Sequence, residues 1–180
     1  ARRPLRLESL EPRLLLDVST IQAISVTPEG VWGDADSVYT SLSADGSVIV
    51  FQSDAANLVE GDTNGVSDVF VRDRAAGTLQ RISVNADGIE GNAASARPAV
   101  SADGLYIVFQ SDASNLVPSD ANGVTDIFLY DRTAATLERI SLSTGGVEAD
   151  GPSLLATVSA NGRYVAFQSD ASNLAPGDYR

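Results

Sequence analysis

The chain of 180 residues is long enough for one domain and short for two, and its 43% apolar content is that of an ordinary globular protein. Acids outnumber bases 24 to 12, and the net charge of −12 argues against nucleic acid or an anionic membrane as partner. Every base is Arg, and the absence of His, Cys, Lys and Met excludes Ser–His and Cys–His nucleophiles, zinc and haem sites of the usual kind, Schiff bases and disulfides. No apolar run approaches the ~18 residues that span a bilayer.

Residues 1–20 read as a leader segment, with four Arg and three acids between Arg2 and Asp17. Its apolar runs are too short for a secretory signal core. From there to Arg180 the chain is organised by a repeat of 58 residues. SADG at Ser43–Gly46 returns as SADG at Ser101–Gly104 and as SANG at Ser159–Gly162, and 25 of 38 positions are identical between Ser43–Gln80 and Ser101–Glu138. AISVTPEG (Ala23–Gly30) likewise maps onto RISVNADG (Arg81–Gly88) and RISLSTGG (Arg139–Gly146). The units are 23–80, 81–138 and an incomplete 139–180, about 2.7 in all.

The first run, IQAISVT (Ile21–Thr27), has the wording of a unit's last strand with no unit before it. In the middle unit four runs follow one another: RPAVS (Arg97–Ser101), YIVFQS (Tyr106–Ser111), DIFLYD (Asp126–Asp131) and TLERISLS (Thr136–Ser143). They are short, rich in Val, Ile, Phe and Tyr, and bounded by Gly, Asp, Asn, Ser or Pro, which is the pattern of strands. SADG forms a tight hairpin, its Gly supplying a positive φ. Four antiparallel strands per unit, stacked face to face, predict an all-β fold of β-propeller blades. A β-solenoid and a sandwich of duplicated hairpins are the alternatives. Propellers close with about four to eight blades, so 2.7 units imply a piece of a longer protein, a homo-oligomer completing a ring, or an open arc.

The strongest chemical signal is D-T-N-G-V-S-D at Asp62–Asp68, repeated as D-A-N-G-V-T-D at Asp120–Asp126. Calcium takes six to eight oxygens from carboxylates, amides and carbonyls around a Gly bend. The candidate metal ligands are therefore Asp62, Asn64 and Asp68 around Gly65, and Asp120, Asn122 and Asp126 around Gly123. The loops are similar to the later part of the calcium loops of integrin-type propellers, but the first ligand position holds Glu60 in one copy and Pro118 in the other. The competing reading is structural, because Asn-Gly is a common hairpin pair and flanking Asp caps backbone amides. Asp54, Asp112 and Asp170, and the pairs Asp73-Arg74 and Asp131-Arg132, are expected to lock loops through buried or half-buried hydrogen bonds and ion pairs. Ser43, Ser101 and Ser159 are turn residues with no base to activate them. Trp32, in the place of Glu90 and Glu148, is expected to pack on a neighbouring blade or to meet a sugar or protein partner.

The stretch SADGLYIVFQSDASNLVPSDANGVTDIFLYDR (Ser101–Arg132) resembles the WD-like, TolB-type β-propeller repeat of bacterial proteins in its S-x-D-G turn, F-x-S strand end, N-G-x-x-D-[VI]-F strand and closing D-R. That resemblance covers Ala23–Arg180. At the start, RLESLEPRLLLD (Arg6–Asp17) resembles the LEPR-XLL segment near the N-terminus of large bacterial surface proteins. Together they imply a non-catalytic binding or structural module of an exported, cell-surface protein, meeting a protein or polysaccharide partner through its blade loops and stiffened by calcium. The alternative is the propeller platform of a larger hydrolase whose catalytic domain lies beyond residue 180.

Overall fold

The computed structural model describes residues 21–177. The expected leader, its LEPR-XLL-like segment and Asp178–Arg180 lie outside the described residues. Among the described residues the chain forms ten strands and no helix. Strands β1 (Ser37–Leu42), β2 (Val48–Ser53), β3 (Asp68–Asp73) and β4 (Thr78–Arg81) make one antiparallel sheet in sequence order. β5 (Ser95–Val100), β6 (Tyr106–Ser111), β7 (Asp126–Asp131) and β8 (Thr136–Arg139) make a second, and β9 (Ser153–Val158) pairs with β10 (Val165–Ser169). The first strands β1, β5 and β9 lie side by side. Each sheet is a blade, and the blades fan out from these inner strands.

Each inner hairpin is set by its serine. Ser43 Oγ donates to Asp45 Oδ1 at 2.6 Å and accepts from Val48 N at 3.0 Å, while the Gly46 amide closes on Ser43 O at 2.9 Å. Ser101 and Ser159 repeat this with Asp103 and Asn161. The turn-serine assignment is what the structure shows.

Within a blade, Phe51 stacks on Phe70 with centroids 5.6 Å apart, and Phe109 on Phe128 at 5.8 Å. Between the first two blades a continuous core joins Val50, Val71 and Ile82 to Ile107, Phe109 and Phe128. The hairpin turns also join across blades, Ala44 N donating to Ala102 O at 2.9 Å and Ala102 N to Ala160 O at 3.0 Å. A Cβ on Gly104 would meet Val48 Cγ2 at 2.8 Å, and one on Gly162 would fall inside the Tyr106 ring. The turn glycine is therefore also a docking surface for the preceding blade.

Three expectations need correction. Ile21–Thr27 forms no strand. Among the described residues no strand pairs with it, and only an isolated bridge, Val26 to Trp32, forms there. Its carbonyls at Ile24 and Val26 instead accept from the Arg72 guanidinium. The fourth run stops at Arg139 rather than Ser143, because Ser141 Oγ takes the Ile127 amide that a continuing strand would have bonded. Asp54 and Asp112 do make the expected bonds, to the Ser67 and Thr125 hydroxyls, but at the surface rather than buried.

Candidate functional site

The two acidic loops leave β2 and β6, and each enters the next strand through its last Asp. Gly65 and Gly123 turn at φ +68° and +67°. Asn64 Oδ1 accepts the Val66 amide at 3.0 Å, which fixes that turn, and its Nδ2 donates to Asp68 Oδ2 at 3.1 Å and Gly91 O at 3.0 Å. Asn122 does the same with Val124, Asp126 and Ala149. The side-chain oxygen foreseen as a ligand thus serves the backbone, and the asparagine faces the acids with a donor.

The structure brings Asp62 and Asp68 together, and Asp120 and Asp126, around a residue not foreseen for the site. Arg81 Nη1 lies 3.2 Å from Asp62 Oδ1, 3.3 Å from Asp68 Oδ2 and 2.9 Å from Glu90 Oε2. Arg139 Nη1 lies 2.9 Å from Asp120 Oδ1 and 3.3 Å from Asp126 Oδ2, and its Nη2 lies 2.6 Å from Glu148 Oε1. Glu60 and Pro118 are exposed, and the third carboxylate comes from Glu90 or Glu148 in the next loop. Asp68 is fully buried, and its second oxygen accepts from Ser83 Oγ at 2.5 Å. In both clusters the arginine Nε is buried without a partner.

Three carboxylates around one guanidinium leave a charge of −2 when all are ionised, in a place shielded from water. Burial accordingly pushes the Asp62, Asp68 and Asp120 carboxyls above their ordinary value, with neighbouring acids adding to the rise at Asp62 and Asp120. Glu90 and Glu148 move the other way. Hydrogen bonds from Thr63 to Glu90 and from the Ala121 amide to Glu148 favour their ionised forms. Arg139 is held protonated above its ordinary range: burial works against its charge, and Glu148, Asp120 and Asp126 outweigh it.

A second arrangement repeats along the inner strands. Residues Tyr39, Arg97 and Leu155 occupy the same place in successive units, and each is non-glycine with a positive φ, at 51°, 54° and 56°. Each begins a bulge where the β1–β2, β5–β6 or β9–β10 register slips. The amide so exposed reaches the previous blade: Arg97 N donates to Gln52 Oε1 at 3.4 Å and Leu155 N to Gln110 Oε1 at 3.2 Å. The side chains project outward around a shallow cleft of about 250 Å³, with the Arg97 guanidinium 4.5 Å above the Tyr39 ring. A larger groove of about 520 Å³ lies between the outer strands of the first two blades, beside Gln80, Leu116 and Tyr130. Its titratable lining groups are Asp87 and Tyr130. Trp32 stands 69% exposed, at odds with its expected packing on a neighbouring blade.

No family model and no curated protein matches this chain. Among solved structures, a putative TolB from Agrobacterium tumefaciens is similar over 76% of this chain and 39% of its own, with 20% identity and a TM-score of 0.51. TolB from Acinetobacter baumannii matches over 81% of this chain and 31% of its own (18% identity, TM-score 0.44). The β-propeller domain of the trilobed protease from Pyrococcus furiosus matches over 74% and 34% (14% identity, TM-score 0.47). The chain thus spans about two fifths or less of the length of these structures. No helix among the described residues is long and apolar enough to cross a membrane. With two four-stranded antiparallel blades, the inner hairpin of a third and the likeness to the Agrobacterium structure, the fold is that of a β-propeller, present in part.

Proposed function

We propose that this chain is a non-catalytic binding module of an exported protein, and that it meets an extended segment of a protein partner at the inner-strand collar formed by Tyr39, Arg97 and Leu155. The observation that carries this reading is the left-handed backbone repeated at three non-glycine residues. Such a conformation costs about 1–2 kcal/mol for an L-residue and persists where the fold holds it in place, often at binding sites. Bulges commonly serve to re-aim a side chain. Here the bulge is constant in all three units, and a glutamine of the preceding blade holds it at Arg97 and Leu155, while the displayed residue changes from aromatic to cationic to aliphatic. That is the pattern of a scaffold fixed for position and varied for recognition. The absence of His, Cys and Lys from the whole sequence supports the non-catalytic half of the reading.

The test is selection of a phage-displayed library of unstructured peptides on the purified chain. Replacing Tyr39 and Arg97 together by Ala should weaken the selected peptides at least tenfold, without lowering the melting temperature by more than a few degrees. Glu138→Ala, on the outermost strand of its blade, should leave them bound. Binders indifferent to the collar, or respond equally to Glu138, would overturn the proposal.

A further inference from the structure

The acidic loops have the wording of calcium loops, yet the residues that surround them do not fit the ion. Calcium asks for six to eight oxygens. Each cluster gathers three carboxylates, the asparagine presents its nitrogen, and a guanidinium nitrogen already lies within 3.3 Å of the carboxylates of the first loop. We propose that Arg81 and Arg139 are the resident cations of these loops, occupying the position a divalent ion would otherwise take, so that the blades are locked without calcium.

Three observations support this. Arginine ordinarily meets a carboxylate with a two-pronged fork. Arg81 instead enters end-on, one Nη1 shared by three carboxylates and the Nε left without a partner. That is how a point charge is used at the first loop, with Nη2 on the Gly61 carbonyl; Arg139 meets Asp120 and Asp126 through the same Nη1 and reaches Glu148 with Nη2. The acceptor oxygens of Asp62, Asp68 and Glu90 lie within 4.8 Å of one another, a spacing that their mutual repulsion opposes unless a cation sits among them.

The sequence supplies the third. Shifted back by one unit, Arg81 and Glu90 become Ala23 and Trp32, and the positions of Asp62 and Asp68 become Pro4 and Leu10. The arginine and the glutamate are thus lost together, in the one copy that has no acidic loop to meet them. A ligand set for a free ion would carry no such dependence on an arginine. An arginine-centred cluster requires it.

The experiment compares the wild-type chain with Arg81→Gln, each melted in EDTA and in about 5 mM calcium, with equilibrium dialysis against calcium alone. Wild type should show the same melting temperature in both buffers and no saturable binding below about 1 mM. Arg81→Gln should melt roughly 10 °C lower in EDTA, and calcium, unlike magnesium, should restore much of the loss with about one ion bound per chain. Saturable calcium binding by wild type would overturn the proposal, and so would an Arg81→Gln chain that ignores calcium. If Arg81→Gln does not fold in either buffer, Asp62→Asn, Arg81→Gln and Glu90→Gln are combined. Recovery of a cooperative melt in this neutralised chain supports the role of Arg81 as counter-charge, and failure to recover overturns it.

Discussion

Arg132 Nη2 lies 2.8 Å from Asp73 Oδ2, so the D-R pair that closes the second blade reaches back to the D-R pair of the first. The same guanidinium donates to Gly104 O at 2.9 Å, which ties the outer end of β7 to the inner hairpin of its own blade. Both partners are about four-fifths buried. The sequence reading expected ion pairs from these residues; the structure shows that the pair runs between blades, not between the adjacent Asp and Arg. A double-mutant cycle with Asp73→Asn and Arg132→Gln should give a coupling of about 0.5–1 kcal/mol, shrinking as salt is raised. Chemical-denaturation curves of the four proteins measure it, and a coupling near zero would mean the contact is incidental.

Gly104→Ala should cost clearly more than Gly88→Ala. Both glycines have positive φ, +74° and +76°, so both substitutions carry the backbone strain of about 1–2 kcal/mol. Only at Gly104 does the new methyl collide with Val48, whereas nothing lies within 4 Å of a Cβ at Gly88. Overpacking adds roughly 1–3 kcal/mol, and the difference between the two melts reports how tightly the blades are pressed together.

Ser141→Ala should destabilise by roughly 2–4 kcal/mol, a large effect for one hydroxyl. Ser141 is fully buried, accepts the Ile127 amide at 3.1 Å and donates to Asp126 Oδ1 at 2.5 Å. Removing it strands a buried amide and half a buried carboxylate. Ser143→Ala, two residues on and bonded only at a surface turn, should fall within about 0.5 kcal/mol of wild type in urea titrations.

Stability should rise modestly as pH falls from neutrality towards the ordinary carboxyl value of 3.8, then fall again below it. Asp62, Asp68 and Asp120 have carboxyls raised above the ordinary 3.8. The folded state therefore binds protons that the unfolded chain does not, between that value and the raised one, and stability falls as pH rises through this window. Asp73, Glu90 and Asp103 are depressed instead, first by hydrogen bonds from the Ala76 amide, the Thr63 hydroxyl and the Ser101 hydroxyl respectively. Their contribution is present above the ordinary 3.8 to 4.5 and is lost as pH falls through their folded values. Melts at half-unit steps would locate the maximum, and a curve with no rise anywhere above 3.8 would show that the clusters carry no titrating strain.

The blades were legible because a period of 58 repeats their strand and turn words with little change. YIVFQS and DIFLYD match β6 and β7 to the residue. Ends that depend on tertiary partners were not. Ile21–Thr27 has the composition of a strand, but a strand is a property of a pair. The ending at Arg139 depends on a serine hydroxyl substituting for a backbone carbonyl, which a pattern of apolar residues does not encode. Of the acidic loops, the aspartates were visible and their centre was not, because Arg81 lies 19 residues beyond Asp62 and Glu90 further still. The signal that could have found them was present in the paired loss of Arg and Glu at Ala23 and Trp32. The collar left no such trace: Tyr, Arg and Leu share no preference for left-handed backbone, and it is the folded bulge that gives them one conformation.

The turn alanines give the stack a direction. Ala44 donates to Ala102 and Ala102 donates to Ala160, always from the earlier blade to the later one. A fan built this way has unlike ends, one offering an amide and the other a carbonyl. Any further blade can join only head to tail, in the sense already set. Two like ends set against each other would oppose donor to donor or acceptor to acceptor, so the one-way grain of this single hydrogen bond per blade favours head-to-tail continuation, the geometry of a ring or a spiral.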